Sequence, residues 1–354
     1  RSFSIGFSEA GYDEARHAAA IARHLGCDHT ELYVTAEQAR NVIPELASIY
    51  DEPFADSSQI PTLLVSRMAR RDVTVVLSGD GGDEVFAGYN RYTYAHRFAT
   101  FSAHAPLWLR QWLRWFIQRI SPRHWDHLFK LAARLIQIPT QPGDKLYKLA
   151  DVLDTDHDGF YRRLVSSWTN PDAVALHGQE HTSWPCHDIA KLAVDEDSAN
   201  ADLIRRMQYL DTTSYLPDDI LTKLDRASMA VSLEARVPLL DHRVVEFAWR
   251  LPTAWKMHQG SSKWLLRRVL GRHVPEAMFN RPKMGFAIPL DEWLRGPLRE
   301  WADELLKPAA CRRFGLVDPV PVSIKWQEHC TGHRNWHYPL WNVLMLHSWA
   351  ERNH

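Results

Sequence analysis

The segment Ser-Gly-Asp-Gly-Gly-Asp-Glu-Val-Phe-Ala-Gly-Tyr at 78–89 constrains this chain more than any other feature, because it follows directly on the apolar run Val-Thr-Val-Val-Leu at 73–77. Four glycines bring bare backbone N–H groups together beside three carboxylates, Asp80, Asp83 and Glu84. Backbone amides hold phosphate, and carboxylates hold Mg²⁺. Glycine is needed where a phosphate or adenylate approaches the main chain without a Cβ in the way. Taken alone, Ser-Gly-Asp-Gly is also compatible with a tight acidic turn. Ligands of open α/β sheets bind at the carboxyl ends of strands, however, so a loop that ends a strand is where chemistry is expected first.

The pattern before this loop is alternating. Residues 2–7 read as a strand, and residues 13–26 as a helix with Ala15, Ala18, Ala19, Ala22 and Leu25 on one face and Gly26 at its end. Residues 29–35 read as a second strand, 36–50 and 60–71 as helices, and 73–77 as a third strand. Strand and helix in turn predict a doubly wound parallel sheet. From about residue 92 the pattern becomes helical and rich in tryptophan, with Trp108, Trp112 and Trp115 among basic residues. Between 101 and 135 six Lys or Arg stand against one acid, Asp126. That asymmetry suits a membrane-surface or partner helix, and it equally suits a solvated basic face over a tryptophan-filled core, which is the reading adopted here. Residues 151–200 are irregular and polar.

Length and charge bound the function. A chain of 354 residues exceeds one ordinary core and predicts a main α/β domain with a helical extension or second lobe. A net charge of -1 supplies no global field for nucleic acid or an anionic membrane. No apolar run approaches the roughly 20 residues that span a bilayer. The four cysteines, Cys27, Cys186, Cys311 and Cys330, form no Cys-x-x-Cys pair, which argues against a zinc site or disulfide framework and fits a reducing cytoplasm. Arg1 leads straight into a strand-like segment, as a cut inside a domain would.

Two further segments carry candidates. In 215–243, charged residues sit among apolar ones at positions expected to face inward, and buried charges need partners. Lys223, Asp225 and Arg226 read equally well as scaffolding or as an anionic-substrate pocket, whereas Glu234, Arg236 and Asp241 read as scaffolding. The third segment, Arg-Pro-Lys-Met-Gly-Phe at 281–286, puts Lys283 on a turn-prone stretch. Alone it reads as a surface lysine. Its functional reading is stabilisation of a pyrophosphate or acyl-phosphate leaving group, where losing one such donor typically costs about 2.7 to 4 kcal/mol of barrier.

Together these segments resemble the glutamine-hydrolysing asparagine synthetases. The resemblance runs from Ser2 to about Trp349 and rests on SFSIGF at 2–7, DEPFADSSQIPT at 51–62, LSGDGGDEVFAGY at 77–89, SLEARVPLLDHR at 232–243 and RPKMGF at 281–286, five segments in family order. It implies the adenine nucleotide alpha hydrolase-like, PP-loop ATP pyrophosphatase fold, with a large helical extension. It also implies three parts: an ATP-binding α/β core at 1–92, a helical insertion at 93–200 and a mainly helical part at 201–354 that completes the active site.

Residue by residue, the resemblance implies that Ile5 lies by the adenine and that Ser78 and Gly79 contact ATP. Asp80 takes the position important for forming the acyl-adenylate, Asp83 meets Mg²⁺ and pyrophosphate, and Lys283 stabilises the adenylation transition state. Glu84, Lys223, Asp225 and Arg226 are substrate-pocket candidates. The implied cofactors are ATP and Mg²⁺, and the implied reaction turns aspartate into asparagine with glutamine-derived ammonia, releasing AMP and pyrophosphate. A sugar acid is an alternative acceptor, and a non-catalytic scaffold an alternative role. The expected partners are small molecules, with no nucleic acid and no membrane span, and a homodimer is compatible with the sequence. The family's Ser-Gly-Gly-x-Asp-Ser loop and the cysteine of its glutaminase domain match nothing here, so weak ATP binding without turnover is expected of this chain alone.

Overall fold

In the computed structural model, the residues described are 1–7, 15–132, 142–177, 199–280 and 288–353. They form two compact units, one from 1–93, 204–290 and 348–354, the other from 94–203 and 291–347.

The first unit carries the described strands. β1 (Ser2–Phe7) pairs in parallel with β2 (His29–Val34), and β3 (Val75–Leu77) pairs in parallel with β4 (Glu234–Arg236). Ser2 lies opposite His29 and Phe7 opposite Val34, so the helix Ala15–His24 serves as the crossover that a parallel pair requires. The expected doubly wound sheet is not seen as one sheet among the described residues, which form two separate two-stranded ladders. Their smallness has a local cause at β3. Val73 still donates to the Ala69 carbonyl and so belongs to the preceding helix end, which leaves only three residues to pair. Nor is that strand buried, since Val75 is 39% and Leu77 is 73% exposed.

The helices around the strands start and stop where the sequence dictates. The expected helix over 36–50 divides into Ala36–Asn41 and Ile43–Ile49, because Pro44 sits in the first turn of the second, where it lacks only an N–H that would be unpaired anyway. Thr35 opens the first with a reciprocal capping box to Gln38. Gln59–Arg70 buries Ile60 and Leu63 completely and packs on β1 and on the helix Thr222–Met229. Between Asp211 and Leu221 the helix widens to π geometry around Pro217, a device often found at functional sites.

The second unit is helical among its described residues, with Asn90–His104 leading into it, then Leu107–Arg119, Pro122–Ala132, Pro142–Ala150 and His157–Val165. Its packing corrects the tryptophan-core reading. Trp108, Trp112 and Trp115 are 68%, 52% and 58% exposed. The arginines turn in instead: Arg110 donates to the carbonyls of Leu153 and Thr155, and Arg114 pairs with Asp154. The core beneath Leu107–Arg119 is the aliphatic cluster Ile117, Ala150 and Leu153. No helix among the described residues is long and apolar enough to cross a membrane.

Candidate functional site: the acidic glycine loop

The loop Ser78–Gly81 leaves β3 and enters the short helix Gly82–Val85. Ser78 continues the ladder by donating its N–H to the Arg236 carbonyl at 2.8 Å, and its hydroxyl donates to Asp80. Gly81 turns the chain at φ 78°, in the left-handed region that non-glycine residues avoid. A Cβ there would also stand 2.4 Å from Leu240, and one at Gly88 would stand 2.2 Å from the Asp83 carboxylate. Packing inside the protein therefore explains those two glycines. Gly79 differs: a Cβ there would meet nothing within 4 Å, so this is the stretch of backbone that a ligand can approach.

Asp80 and Asp83 are both half-buried, and Lys263 Nζ lies 3.1 Å from Asp83. Lys263 was not among the expected residues, because one lysine in Ser-Ser-Lys-Trp carries no local signature. Its left-handed backbone, φ 52°, is the one trace of constraint it bears. Hard carboxylate oxygens suit Mg²⁺, and a neighbouring ammonium suits the phosphates that such an ion accompanies. Among the described residues no group of three or more His, Cys, Asp or Glu forms a metal cage. Asp80 and Asp83 are thus the donors that fit a cation taking its remaining oxygens from phosphate and water.

Glu84 does not stand with them. It is 1% exposed, accepts the Tyr89 hydroxyl, and has its carboxyl pushed up chiefly by burial. The amide of buried Gln208 donates to the Glu84 and Val85 carbonyls at 2.6 and 3.2 Å, and so clamps the short helix from below. A second support lies alongside. Asp211, fully buried, is gripped by Arg91 at 2.8 and 2.9 Å and by the Tyr92 hydroxyl at 2.5 Å, while the guanidinium stacks 4.0 Å from the Tyr89 ring centroid. Glu84 is accordingly part of the floor under the loop.

The charged segment 215–243 divides by depth. Lys223 Nζ reaches Asp56 Oδ2 at 2.7 Å, and Ser58 donates to the same carboxylate from its N–H and its hydroxyl, each at 2.8 Å. Burial alone would raise the Asp56 carboxyl, but the Lys223 ammonium outweighs it and holds the group below its usual range. Asp219 is the neighbour, one of whose buried oxygens, Oδ1, finds no hydrogen-bond partner. Burial and the Asp56 charge push its carboxyl up to about 7, while Lys223 pulls the other way. Lys223 also feels the charge of Asp80, so this buried group borders the loop. Asp225 and Arg226, by contrast, pair at the surface at 2.5 Å, and Arg226 reaches Asp51 at 3.0 Å. Arg236 pairs with Glu234 at 2.7 Å, and Asp241 caps the helix His242–Arg250.

Asp56 and Asp219 were not singled out from the sequence. Asp56 lies in Asp-Ser-Ser ahead of a helix and resembles any capping turn, and the π-turn that points Asp219 at it has no periodic signature. Ile5 is 4% exposed on β1, opposite Leu32. Lys283 lies outside the described residues.

Comparison with known proteins places the chain in a family. The family profile described as Asparagine synthase matches residues 1–351. The chain is similar to asparagine synthetase [glutamine-hydrolyzing] 1 of Bacillus subtilis, 29% identical across 100% of this chain and 52% of that protein. It is similar also to a putative asparagine synthetase [glutamine-hydrolyzing] of Mycobacterium tuberculosis, 32% identical over 98% of this chain and 50% of the relative. A more distant relative, amidase chyE of Penicillium rubens, is 23% identical over 90% of this chain and 48% of its own length. The chain spans about half the length of the curated relatives it matches. With the profile running nearly end to end and the acidic glycine loop intact within it, this chain belongs to the asparagine synthase family.

Proposed function

We propose that the protein carrying this chain uses ATP to amidate a carboxylate through an acyl-adenylate, and that the acceptor is the β-carboxylate of aspartate. A carboxylate oxygen attacks the α-phosphorus, the bond to the β-phosphate breaks, and pyrophosphate leaves. Ammonia then attacks the acyl carbon and gives up a proton, and AMP departs with the electrons of the broken C–O bond, leaving asparagine. Activation is required because a carboxylate oxygen is a poor leaving group until it is bonded to phosphorus.

The observation that carries this reading is the loop at the carboxyl end of β3, where Asp80 and Asp83 stand beside open backbone at Gly79 and Lys263 lies 3.1 Å from Asp83. Ser78 and Gly79 contact ATP, and Gly79 turns its backbone N–H toward a phosphate oxygen. Asp83 would hold Mg²⁺, which would neutralise charge on the leaving pyrophosphate. Asp80 takes the position important for forming the acyl-adenylate, and Lys263 keeps the Asp83 carboxylate in position. Lys283 stabilises the negative charge that develops on the leaving group. Ile5 lies against the adenine. The relatives' names support asparagine as product and glutamine as the nitrogen source.

The test is mass spectrometry of products from the natural full-length protein carrying this chain, with ATP, Mg²⁺, aspartate and ammonium, beside Asp83→Ala and Lys283→Ala. Asparagine and AMP in equal amounts, lost in both variants, is the expected result. AMP formed without asparagine reassigns the acceptor to another carboxylate such as a sugar acid, and absence of AMP with every carboxylate tried removes the adenylation reading.

A further inference from the structure

The second unit holds a cavity of about 730 Å³ that none of the chemistry above uses. Its walls come from residues 148–152, 163–169 and 321–339, all within that unit. Four cations line it, Lys148, Arg163, Lys325 and Arg334, against two carboxylates, Asp151 and Glu328, which leaves a surplus of two positive charges. Both carboxylates, which also pull the Lys325 ammonium up, hydrogen-bond neutral groups. Glu328 accepts the Trp336 indole N–H at 2.5 Å, and Asp151 accepts from Gln118 at 3.2 Å.

Lys325 and Arg334 form no ion pair with a carboxylate among the described residues. Both instead sit on the ring of Trp336, Lys325 Nζ at 3.4 Å and Arg334 Cζ at 4.1 Å from its centroid. Trp168 and Tyr147 flank them at 5.2 and 5.0 Å. A ring quadrupole attracts each cation but screens neither from the other. Burial and the Arg334 charge accordingly push the Lys325 ammonium below its ordinary pKa. Neighbouring His337 adds no charge near neutrality, since burial pushes it down to about 4. A guanidinium seated on a ring still presents its N–H edge, the part that grips an oxyanion in bidentate fashion.

We infer that this cavity binds a small organic anion bearing two or more negative charges on clustered oxygens, with Lys325 and Arg334 as its main contacts. A phosphate ester and a di- or tricarboxylate share that chemistry. The anion relieves the repulsion between two half-buried cations and matches the surplus charge of the walls.

The test reads Lys325 directly. The natural full-length protein carrying this chain is acetylated with a limiting amine-reactive ester, and the extent at Lys325 is measured by peptide mass spectrometry with inorganic phosphate, citrate, or chloride at equal ionic strength. Selective protection of Lys325 by phosphate or citrate is expected, stronger for whichever oxyanion class the cavity takes. Arg334→Gln should weaken that protection roughly tenfold, the size of one lost charge-assisted contact. Glu328→Gln keeps an acceptor for the indole while removing a negative charge, and should strengthen it even if the arginine variant folds poorly. Asp83→Asn, in the first unit, should leave it unchanged. Protection equal to that of chloride, equal protection of all lysines, or protection indifferent to both the Arg334 and Glu328 changes would overturn the assignment.

Discussion

Lys223 sits where electrostatics have the fewest alternatives. It neutralises Asp56 at 2.7 Å, with side-chain exposures of 12% and 22% for lysine and aspartate, so removing the ammonium leaves a buried carboxylate without a counter-charge. Lys223→Met is expected to destabilise the protein by about 3 kcal/mol, read from urea unfolding. The double change with Asp56→Leu should recover much of that loss, because it is the orphaned charge that costs. Asp219 supplies a pH dependence with a definite sign. Its carboxyl is raised to about 7, so the folded state holds a proton that the unfolded chain has already released. The associated stability is complete below the unfolded value near 4 and is lost as pH rises through about 7. Asp56, held low, acts oppositely and in a lower window: its contribution is present above the unfolded value and lost as pH falls through the folded one. Melting curves of Asp219→Asn against the parent should therefore separate progressively between about pH 4 and pH 7 and run parallel above that, with the variant the more stable at the alkaline end. A gap that stays constant with pH would show that Asp219 titrates normally.

At the scale of an element, the loop and its short helix behave as a unit because Gly81 and the floor beneath it admit few substitutions. Gly81→Ala combines a left-handed φ with a 2.4 Å approach to Leu240. It should cost about 1 to 3 kcal/mol in denaturant unfolding and lower adenylation more than it lowers stability, because the strain lies between Asp80 and Asp83. Gln208→Leu removes the donor to the Glu84 and Val85 carbonyls and should loosen the same helix, seen as faster amide exchange at 82–86. Much of this element was legible beforehand: the acid and glycine spacing marked the loop and the strand before it. The fate of each residue was not. Glu84, three residues after the φ-positive turn, points down into the floor, and a turn of that kind decides direction only once the chain has closed over Leu239 and Leu240.

At the scale of the whole molecule, hydrophobic pattern and packing part company. Trp108, Trp112 and Trp115 recur at helical spacing and invite a core assignment, yet all three are more than half exposed while Arg110 and Arg114 satisfy inward carbonyls and Asp154. Replacing the three tryptophans with serine should change stability by less than about 1 kcal/mol each and remove much of the iodide-quenchable, red-shifted fluorescence. Retention of that fluorescence would place the exposed indoles elsewhere. The sequence by itself determined what depends on neighbours along the chain: the helix starts near residues 36 and 60, the strands at 2–7 and near 29–35, the glycine-acid loop and the family to which it points. Only the tertiary structure decided what depends on neighbours across it. Lys223 reaches Asp56 across 167 positions, Arg91 reaches Asp211 across 120, and two short ladders replace one wide sheet. Charge and hydrophobicity specify that a group needs a partner, but the partner is set by which segments arrive at the same place, and that is a property of the folded chain.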